Sequence, residues 1–312
     1  MSPGDAETMR CTALRFGSGC VEHTRLPPHD SHAYTSTTAP FAFGVSFTGH
    51  RAAVLGSDGK ALQARSFRPS TVGLNGPRAV TWLHVSEPSE GVEIHPAPRV
   101  LDKVAALTHC QWDDLESYRQ LSTDEVIWAA SVMFRAAALR RRTLTEDEAE
   151  GLILNLTIHV AVHHLGGRSP RSFAGRLAPD LVGRVAAHLH RNCDRAVTLA
   201  EMASVAVMSP YHFHRSFHRA VGLTPSTFAM ALRMERAHRL LAAGRSPREA
   251  ADAVGIGDPS YFRRSYRRFL GEPAGVNQRA VSPAGAASAQ DPSGTVREID
   301  AGPAEDRGTP GG

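Results

Sequence analysis

Long hydrophobic runs, paired cysteines and lysine are three things of which this 312-residue sequence has little. No stretch of about 18 apolar residues occurs, which argues against a membrane-spanning helix. The four cysteines are scattered and form no Cys-x-x-Cys pair, which argues against a disulfide framework and a zinc finger. The N-terminus lacks the basic and apolar regions of a secretory signal. We therefore expect reduced thiols in a cytoplasmic protein.

Lysine is almost absent, and arginine carries nearly all of the positive charge. Lys60 and Lys103 are the two lysines among 35 basic side chains. Residues 179–281 contain 15 arginines and 8 acidic residues, a net charge of +7, whereas the rest of the chain has 20 basic and 23 acidic residues. A cationic segment beside a mildly acidic remainder predicts a module that binds a polyanion.

Residues 41–98 show the alternation that is typical of short strands. The alternating apolar side chains at its start are Phe41, Phe43, Val45 and Phe47. A β-hairpin is predicted over 51–67, and two more strands over 79–98. Short strands at about ten-residue spacing predict an antiparallel β-sandwich or a barrel-like domain. Residues 1–40 show little periodicity, and we expect them to be loop-like.

The apolar period changes to that of helices over residues 99–165. We predict a helix over 99–107 and two longer helices at about 123–142 and 145–165. Thr145 is the predicted N-cap of the last one, because three acidic residues follow it in the first helical turn. The two longer helices are expected to pack as an antiparallel pair, and their surplus apolar face is a candidate dimer surface.

Three segments complete the predicted organisation of the chain. Residues 166–179 are rich in Gly, Ser, Pro and Arg and are predicted to be a linker between two domains. Residues 180–281 have a helical pattern throughout and are predicted to form an all-α domain. Residues 282–312 have no hydrophobic period, and we expect them to be disordered because they cannot bury enough apolar surface.

The predicted all-α domain contains two copies of a helix-turn-helix pattern, at 198–225 and 246–273. In each copy a short helix with small residues precedes a turn and a second helix, and the small residues allow the second helix to pack closely. The second helices begin with a capping residue and a proline at the first helical position. These pairs are Ser209-Pro210 in the first copy and Asp258-Pro259 in the second.

The second helix of each copy has an aromatic inner face and a cationic outer face. The aromatic pairs, four residues apart and predicted to lie in the core, are Phe213 with Phe217 and Phe262 with Tyr266. An outer face with Arg, His and Tyr at its N-terminal end suits the major groove, where base edges are read. We therefore predict two recognition helices in this domain.

A continuous helix over 225–243 connects the two copies. Its nineteen residues, at a rise of about 1.5 Å each, give a rod of roughly 28 Å. Successive major grooves on one face of B-DNA are about 34 Å apart, which is similar once the displacement of the recognition helices is added. Two recognition helices on one rod are therefore expected to enter successive major grooves.

Residues 180–279 resemble the DNA-binding domain of the AraC/XylS family of bacterial transcription regulators. The resemblance covers about 100 of the 312 residues, with several motifs in the same order. The motifs of the first copy and the connecting helix are Leu199–Ala203, Met208–Phe213, Arg215–Phe217, Gly222–Pro225, Arg233–Ala237 and Leu240-Leu241. Those of the second copy are Glu249–Ala251, Val254-Gly255, Tyr261-Phe262 and Arg263–Phe269.

The resemblance implies a seven-helix domain with two helix-turn-helix units, a homodimer and contact with RNA polymerase. It also implies an N-terminal sensor β-domain followed by a helical dimerisation segment, so the expected fold class is α+β. The sequence departs from the family pattern at 274–279, where a Tyr-Arg pair is usual, and at Gly257, where a polar residue is usual. These departures concern the packing of the last helix and of the second turn.

The resemblance further implies which side chains contact double-stranded DNA. The base-reading residues are Tyr211, His214 and Arg215 in the first unit and Ser260, Arg263 and Arg264 in the second. We assign contacts with the DNA backbone to Ser209, His218, Arg219, Arg267 and Arg268. For any one arginine the alternative is a phosphate contact, since about half or more of protein–DNA hydrogen bonds go to the backbone.

The sequence therefore predicts a sequence-specific DNA-binding transcription regulator, an activator that responds to a small-molecule effector, with no catalytic residues, cofactor or metal. The first alternative is a ligand-independent or repressor-type regulator whose N-terminal domain only dimerises. An enzyme or a thiol-based DNA-repair or redox regulator is more remote, because Cys11 and Cys20 have no basic cluster beside them. His159 and His163 have a metal-binding spacing, but without a third ligand we expect a packed pair.

Overall fold

The computed structural model of the chain describes residues 10–28, 36–57, 60–170 and 177–270. Within these ranges the N-terminal half is built from two antiparallel sheets and three helices, and the C-terminal half from helices alone. The α+β class is therefore confirmed. The predicted disordered tail, 282–312, and the final helical residues, 274–279, lie outside the described residues.

Six strands form the larger sheet. They are β1 (Arg10–Phe16), β2 (Gly19–Leu26), β4 (Phe43–Ser46), β7 (Thr71–Asn75), β9 (Ser89–Pro96) and β10 (Tyr118–Leu121). Their order across the sheet is β1-β2-β9-β4-β7-β10, and every pairing is antiparallel. One face of this sheet carries Val45, Val72 and Val92, which are buried in the main apolar core. The helices cover that face.

Four strands form the smaller sheet, in the order β3-β8-β5-β6. They are β3 (Ser36–Thr38), β5 (His50–Ser57), β6 (Lys60–Phe67) and β8 (Val80–Val85). The antiparallel pairing of β5 with β6 confirms the predicted hairpin. Leu55 and Phe67 of this sheet form a small core with Tyr118 of the larger sheet. The two sheets therefore face each other.

The prediction that residues 1–40 are loop-like, with strands only over about 41–98, is wrong. β1 and β2 pair as a hairpin with Arg10 opposite Arg25 and Phe16 opposite Gly19. β1 is an exposed edge strand and carries no apolar alternation, while β2 directs the polar His23 inward. Period-two patterns arise only where apolar side chains line one buried face, so these strands give no such pattern. β10 also lies outside the predicted range, after residue 98. Its polar residues Arg119 and Gln120 are half-buried, so it too lacks an apolar alternation.

Nine helices lie within the described residues. They are α1 (Pro98–Thr108), α2 (Glu125–Ala138), α3 (Glu146–His164), α4 (Pro179–Arg191), α5 (Leu199–Val205), α6 (Pro210–Val221), α7 (Pro225–Ala242), α8 (Pro247–Ala253) and α9 (Pro259–Leu270). A short 3-10 turn, Trp112–Asp114, follows α1. Thr145 caps α3 as predicted, in a reciprocal capping box with Glu148. Six of the seven helices implied for the C-terminal domain fall within 177–270.

None of the helices in the described part of the chain combines the length and the hydrophobicity that crossing a membrane requires.

Helix α2 is buried on every side, because it lies between the larger sheet and the C-terminal helices. Its residues from Val126 to Ala136 are all buried. The Trp128 ring lies 5.1 Å from the Phe47 ring, and its indole Nε1 donates to the carbonyl oxygen of Ala231 in α7 at 3.4 Å. The candidate dimer surface was the surplus apolar face of the two longer helices, and the part of it that α2 contributes is covered by the chain's own α7 and α9. An apolar stripe predicts burial but not the partner that buries it.

A buried ion pair fastens α2 to the larger sheet. Arg135, whose side chain is 4% exposed, donates to Glu90 of β9 from Nε and Nη2, each at 2.8 Å. His23 Nε2 lies 2.8 Å and Arg25 Nη2 3.1 Å from the same carboxylate. Burial alone would raise the pKa of Glu90, but the hydrogen bond with His23 and the charge of Arg135 outweigh it and hold that pKa well below its usual range.

Replacing Glu90 with glutamine removes the counter-charge of a buried arginine, so we expect Glu90→Gln to lower the free energy of unfolding by about 3–5 kcal/mol at pH 7. Because the folded-state pKa is depressed, the carboxylate stabilises the fold above the unfolded pKa of about 4.5, and this stabilisation is lost as the pH falls toward the folded pKa. Urea denaturation at several pH values measures both effects.

The matched control is Glu116→Gln, since Glu116 is exposed and lies 3.9 Å from Arg119. Surface pairs of this kind contribute about 0–1 kcal/mol. Equal losses in the two variants would show that the Glu90 contact does not stabilise the fold in this way.

Candidate nucleic-acid interface

Helices α6 and α9 begin where the sequence predicts, each at a capping residue followed by proline. The Ser209 hydroxyl accepts the backbone N–H of His212 at 3.4 Å, and the Asp258 carboxylate accepts the N–H of Ser260 at 2.8 Å. α6 ends at Gly222, whose φ of +78° suits a glycine C-cap. Local capping therefore sets the position of both helices along the chain.

The inner faces of the two helices are aromatic and buried, as predicted. In α6 the rings of Phe213 and Phe217 lie 5.3 Å apart, and Phe217 also contacts Phe228 of α7 at 5.3 Å. In α9 the rings of Phe262 and Tyr266 lie 6.0 Å apart. Both helices are therefore held to their units by aromatic packing, which determines which face points outward.

The eleven side chains that we assigned to DNA contact are all exposed. Ser209 is the N-cap of α6, and the other ten lie on α6 and α9. The eleven are Ser209, Tyr211, His214, Arg215, His218, Arg219, Ser260, Arg263, Arg264, Arg267 and Arg268. Neither helix has an acidic residue in its first turn. The two outer faces are therefore strongly cationic.

Tyr211 and Arg215 form a pair on the outer face of α6. Arg215 Nη1 donates to the Tyr211 hydroxyl at 3.0 Å, and the guanidinium lies 5.6 Å from the centre of the tyrosine ring. Such a pair restricts the rotamers of two long side chains before any ligand arrives. Less conformational entropy is then lost when the pair engages a partner.

The connecting helix α7 holds the second unit through Arg233. α7 contains 18 residues, which gives a length of about 27 Å. Arg233 Nε donates to the carbonyl oxygen of Val254 and Nη2 donates to that of Gly255, both at 2.8 Å. The guanidinium therefore fixes the turn between α8 and α9. Sequence reasoning did not find this role, because nothing in a lone arginine of a helix indicates which carbonyls it meets.

The turns of the two units have different chemistry at the same point. Val207 in the first turn and Gly255 in the second have φ of +56° and +62°. Val207 is 85% exposed, so its side chain projects into solvent. A Cβ on Gly255 would overlap the carbonyl oxygen of Asp194, whereas one on the neighbouring Gly257 would meet no other atom within contact distance. Only the second turn therefore requires glycine.

The N-terminal half contacts both units through backbone groups. Asn155 Nδ2 of α3 donates to the carbonyl oxygen of Arg219 in α6 at 3.2 Å, and Arg141 Nη1 lies 3.5 Å from the carbonyl oxygen of Arg267 in α9. Because these contacts use main-chain oxygens, the side chains of the outer faces stay exposed while the helices are held.

His238 of α7 connects the larger sheet to α9. Its Nε2 donates to the carbonyl oxygen of Phe47, immediately after β4, at 2.7 Å. In the neutral ring Nδ1 is then the acceptor for the Tyr266 hydroxyl, at 2.9 Å. Burial lowers the pKa of His238, which favours this neutral form. The sheet, the connecting helix and the core of α9 therefore share one hydrogen-bonded chain.

A cavity of about 70 Å³ lies between the two sheets. Its lining includes Thr38, Trp82, Glu93 and Tyr118. Glu93 accepts a hydrogen bond from the Thr38 hydroxyl at 2.7 Å, and its side chain is 26% exposed. Loss of hydration by burial raises the pKa of Glu93 to about 7, although the Thr38 hydrogen bond acts in the opposite direction.

Cys11 and Cys20 are free thiols on the paired strands β1 and β2. Burial raises the pKa of both thiols, and the charge of Glu22 raises them further. A reactive thiol needs the opposite shift, because the thiolate is the nucleophile. These surroundings disfavour the thiol-based alternative.

Comparison with known proteins supports the resemblance of the C-terminal helices to an AraC-type DNA-binding domain. Residues 202–280 match the family model described as a helix-turn-helix domain. A protein of Streptomyces lividans named as an AraC-like transcription regulator is 28% identical over 180 residues, which are 56% of this chain and 57% of that protein. One of Streptomyces antibioticus with the same name is 34% identical over 127 residues, 39% of this chain and 42% of that protein. This chain thus spans about half the length of these relatives.

Among solved structures, a probable AraC family transcriptional regulator from Rhodopseudomonas palustris is 28% identical and covers 32% of this chain and 97% of its own, with a TM-score of 0.30. The family model and the named relatives define the class of the C-terminal helices, a helix-turn-helix domain. More particularly, the relatives are named as AraC-like transcription regulators, which confirms the resemblance of this domain to the AraC type.

Alanine at position 255 would force a Cβ into the carbonyl oxygen of Asp194 at a left-handed backbone position, which by itself costs about 1–2 kcal/mol. We expect Gly255→Ala to lower the free energy of unfolding by about 2 kcal/mol or more, while Gly257→Ala stays within about 0.5 kcal/mol of the wild type. Chemical denaturation of both variants measures this. Equal stability of the two variants would refute the assigned geometry of the second turn.

Proposed function

We propose that this chain is a sequence-specific DNA-binding transcription regulator that reads DNA with α6 and α9. The observation that carries the proposal is the pair of exposed, arginine-bearing outer faces at the two ends of α7. A helix that displays cations and hydrogen-bond donors near its N-terminus suits the major groove. The match of residues 202–280 to a helix-turn-helix domain supports the same conclusion.

The side chains near the N-termini of the two helices are proposed to read bases. They are Tyr211, His214 and Arg215 in α6 and Ser260, Arg263 and Arg264 in α9. The other exposed groups are proposed to contact phosphates: Ser209, His218, Arg219, Arg267 and Arg268. The arginines in the last turn of α9 lie too far along the helix to reach base edges in a helix docked by its N-terminal end. They contribute salt-dependent affinity that does not depend on sequence.

An effector-responsive activator is the finer proposal for the whole chain, with a homodimer, RNA polymerase and a small-molecule effector as partners and the cytoplasm as its location. The cavity between the sheets supports it, because β4 contributes to the cavity wall and leads directly to Phe47, whose carbonyl oxygen holds His238. A shift of β4 would therefore reach Tyr266 in the core of α9 through two hydrogen bonds.

The size of the cavity favours the alternative, a ligand-independent or repressor-type regulator whose N-terminal domain only dimerises. About 70 Å³ is far below the roughly 300–1,000 Å³ of drug-sized ligand pockets. An effector larger than a few waters would have to separate the two sheets. Activation and repression are distinguished by transcription from a promoter that carries the bound site.

Selection of bound sites from random double-stranded DNA with the full chain tests the function. We expect two enriched half-sites with centres about 10–10.5 bp apart, because two recognition helices on one rod enter successive major grooves. Against the selected site, Arg215→Ala and Arg264→Ala should each weaken binding by about 1–3 kcal/mol and relax the preference at one position. Arg268→Ala should weaken binding to all sequences and reduce the salt slope by about one.

Arg51→Ala is the matched control for charge, since Arg51 is exposed and belongs to β5 of the smaller sheet, not to α6 or α9. It should leave affinity and preference unchanged. If a double variant at Arg215 and Arg264 protects the same sites with wild-type affinity, the assignment of the reading residues is wrong. If no sequence is enriched at low or physiological salt, the proposed function itself fails.

The raised pKa of Glu93 predicts a pH dependence of stability. Between the unfolded pKa near 4.5 and the folded value of about 7, the folded state binds the extra proton, so its stability falls as the pH rises through this window. The loss amounts to at most about 3 kcal/mol. Glu93→Gln should abolish this slope and should be more stable than the wild type at pH 8, because it removes a desolvated carboxylate.

Thermal and urea unfolding from pH 4.5 to 8 measure the slope, and Glu116→Gln, at an exposed position, serves as the control that retains it. A slope that persists unchanged in Glu93→Gln would contradict the burial of this carboxyl group in the cavity wall.

A further inference from the structure

Three metal-ligating atoms meet where α2 begins and α3 ends. They belong to Asp124, His159 and His164. Oδ2 of Asp124 lies 2.8 Å from His159 Nε2 and 2.8 Å from His164 Nε2. The sequence pattern singled out His159 with His163, but His163 is exposed, and the third group comes from α2. The pair that meets the carboxylate is therefore His159 with the last residue of α3.

The carboxylate of Asp124 is held in a fixed orientation by its second oxygen. Oδ1 accepts the backbone N–H groups of Val126 and Ile127, both at 3.0 Å, as the N-cap of α2. With Oδ1 held in this way, Oδ2 is directed at the two imidazole rings.

The donor set and its spacing fit a divalent transition-metal ion. Two imidazole nitrogens and one carboxylate oxygen are the facial set that leaves positions open for water or another ligand. Adjacent ligands at 90° with bonds of about 2.1 Å lie roughly 3.0 Å apart, close to the observed 2.8 Å. The exposed fractions of His159 and His164 are 12% and 16%, so an ion can enter from solvent.

The C-terminal end of α3 contributes to the attraction of a cation to this point. The rings lie in the last turns of α3, where the unpaired carbonyl groups of a helix carry partial negative charge. Arg119, the nearby cation, donates to the carbonyl oxygen of His164 at 2.7 Å and thereby fixes the end of the helix. Without a metal, both rings must donate a proton to the same oxygen atom; one cation replaces both protons and keeps all three ligand atoms in place.

We propose that Asp124, His159 and His164 bind a divalent ion of the zinc, cobalt and nickel class. The site joins the start of α2 to the end of α3, and the next residue, Glu125, pairs with His190 of α4 at 2.9 Å. α4 is the first helix of the C-terminal half. Metal binding therefore stabilises the place where α2 and α3 meet, next to the contact of α2 with α4. This proposal does not depend on the effector cavity or on DNA binding.

A second group of donors, Glu22, Glu93 and His95, lies on the larger sheet. His95 Nε2 is 3.8 Å from Glu22 and 3.7 Å from Glu93. Burial raises the pKa of Glu93 to about 7, so this carboxyl group is partly protonated at neutral pH and is the weaker ligand. The Asp124 site is therefore favoured, and variants can distinguish the two.

Cobalt titration of the full chain, after removal of metal with a chelator, tests the proposal. We expect one equivalent of Co²⁺ to bind with visible d–d absorption and to be displaced by Zn²⁺, and Zn²⁺ to raise the unfolding temperature. Loss of outer partners alone costs about 10–100-fold in metal affinity. His159→Asn and His164→Asn, which remove a ligand, should therefore lose about 100-fold or more.

The matched control is His163→Asn, which removes a histidine from the same helical turn, with its ring 4.5 Å from that of His159. It should bind Co²⁺ like the wild type, and so should His95→Gln. Asp124→Asn retains an oxygen for the α2 cap and serves where a histidine variant fails to fold. Absence of stoichiometric binding, binding unchanged in His164→Asn, or binding lost only in His95→Gln would overturn the proposal.

Discussion

The burial of α2 on all sides is the constraint on which the rest of the structure depends. The ion pair of Arg135 with Glu90 fixes this helix to the larger sheet, and Trp128 fixes it to α7. The helix therefore packs against both the larger sheet and the C-terminal helices. A buried charge pair of this kind is costly to break, because removing one partner leaves the other uncompensated. The position of α7 relative to the larger sheet thus follows from how α2 packs on that sheet.

Helices α6 and α9 are held in a way that leaves their outer faces exposed. Contacts from the N-terminal half go to main-chain oxygens of Arg219 and Arg267, and Arg233 holds the second turn through the carbonyl groups of Val254 and Gly255. Backbone contacts position a helix without using its side chains. The side chains of the cationic outer faces are therefore not needed to hold α6 and α9 in place.

Much of the helical half follows from the sequence, because its determinants are local. Capping residues followed by proline set the starts of α6 and α9, and the cap at Thr145 sets that of α3. β1 and β2 could not be predicted, since an exposed edge strand and an inward-facing His23 leave no period-two apolar pattern. The choice of His164 over His163 as partner of His159 is likewise tertiary: it depends on where Asp124 of α2 meets the end of α3. The cation-binding role of that cluster follows only once two helices are placed together.

The continuity of the apolar core restricts how any regulation can work. One cluster of buried side chains extends from Val45 and Val92 of the larger sheet through Trp128 of α2 to Phe228 of α7 and Phe262 of α9. The C-terminal helices share this core with the larger sheet. Separating them from the sheet would expose apolar surface, at a free-energy cost of about 25 cal/mol per Å². A ligand shifts an equilibrium only by as much as it prefers one state. Regulation through the cavity or through the Asp124 cluster is therefore expected to act by small changes where α7 contacts α2 and the residue after β4, which the hydrogen bond of His238 with Phe47 joins.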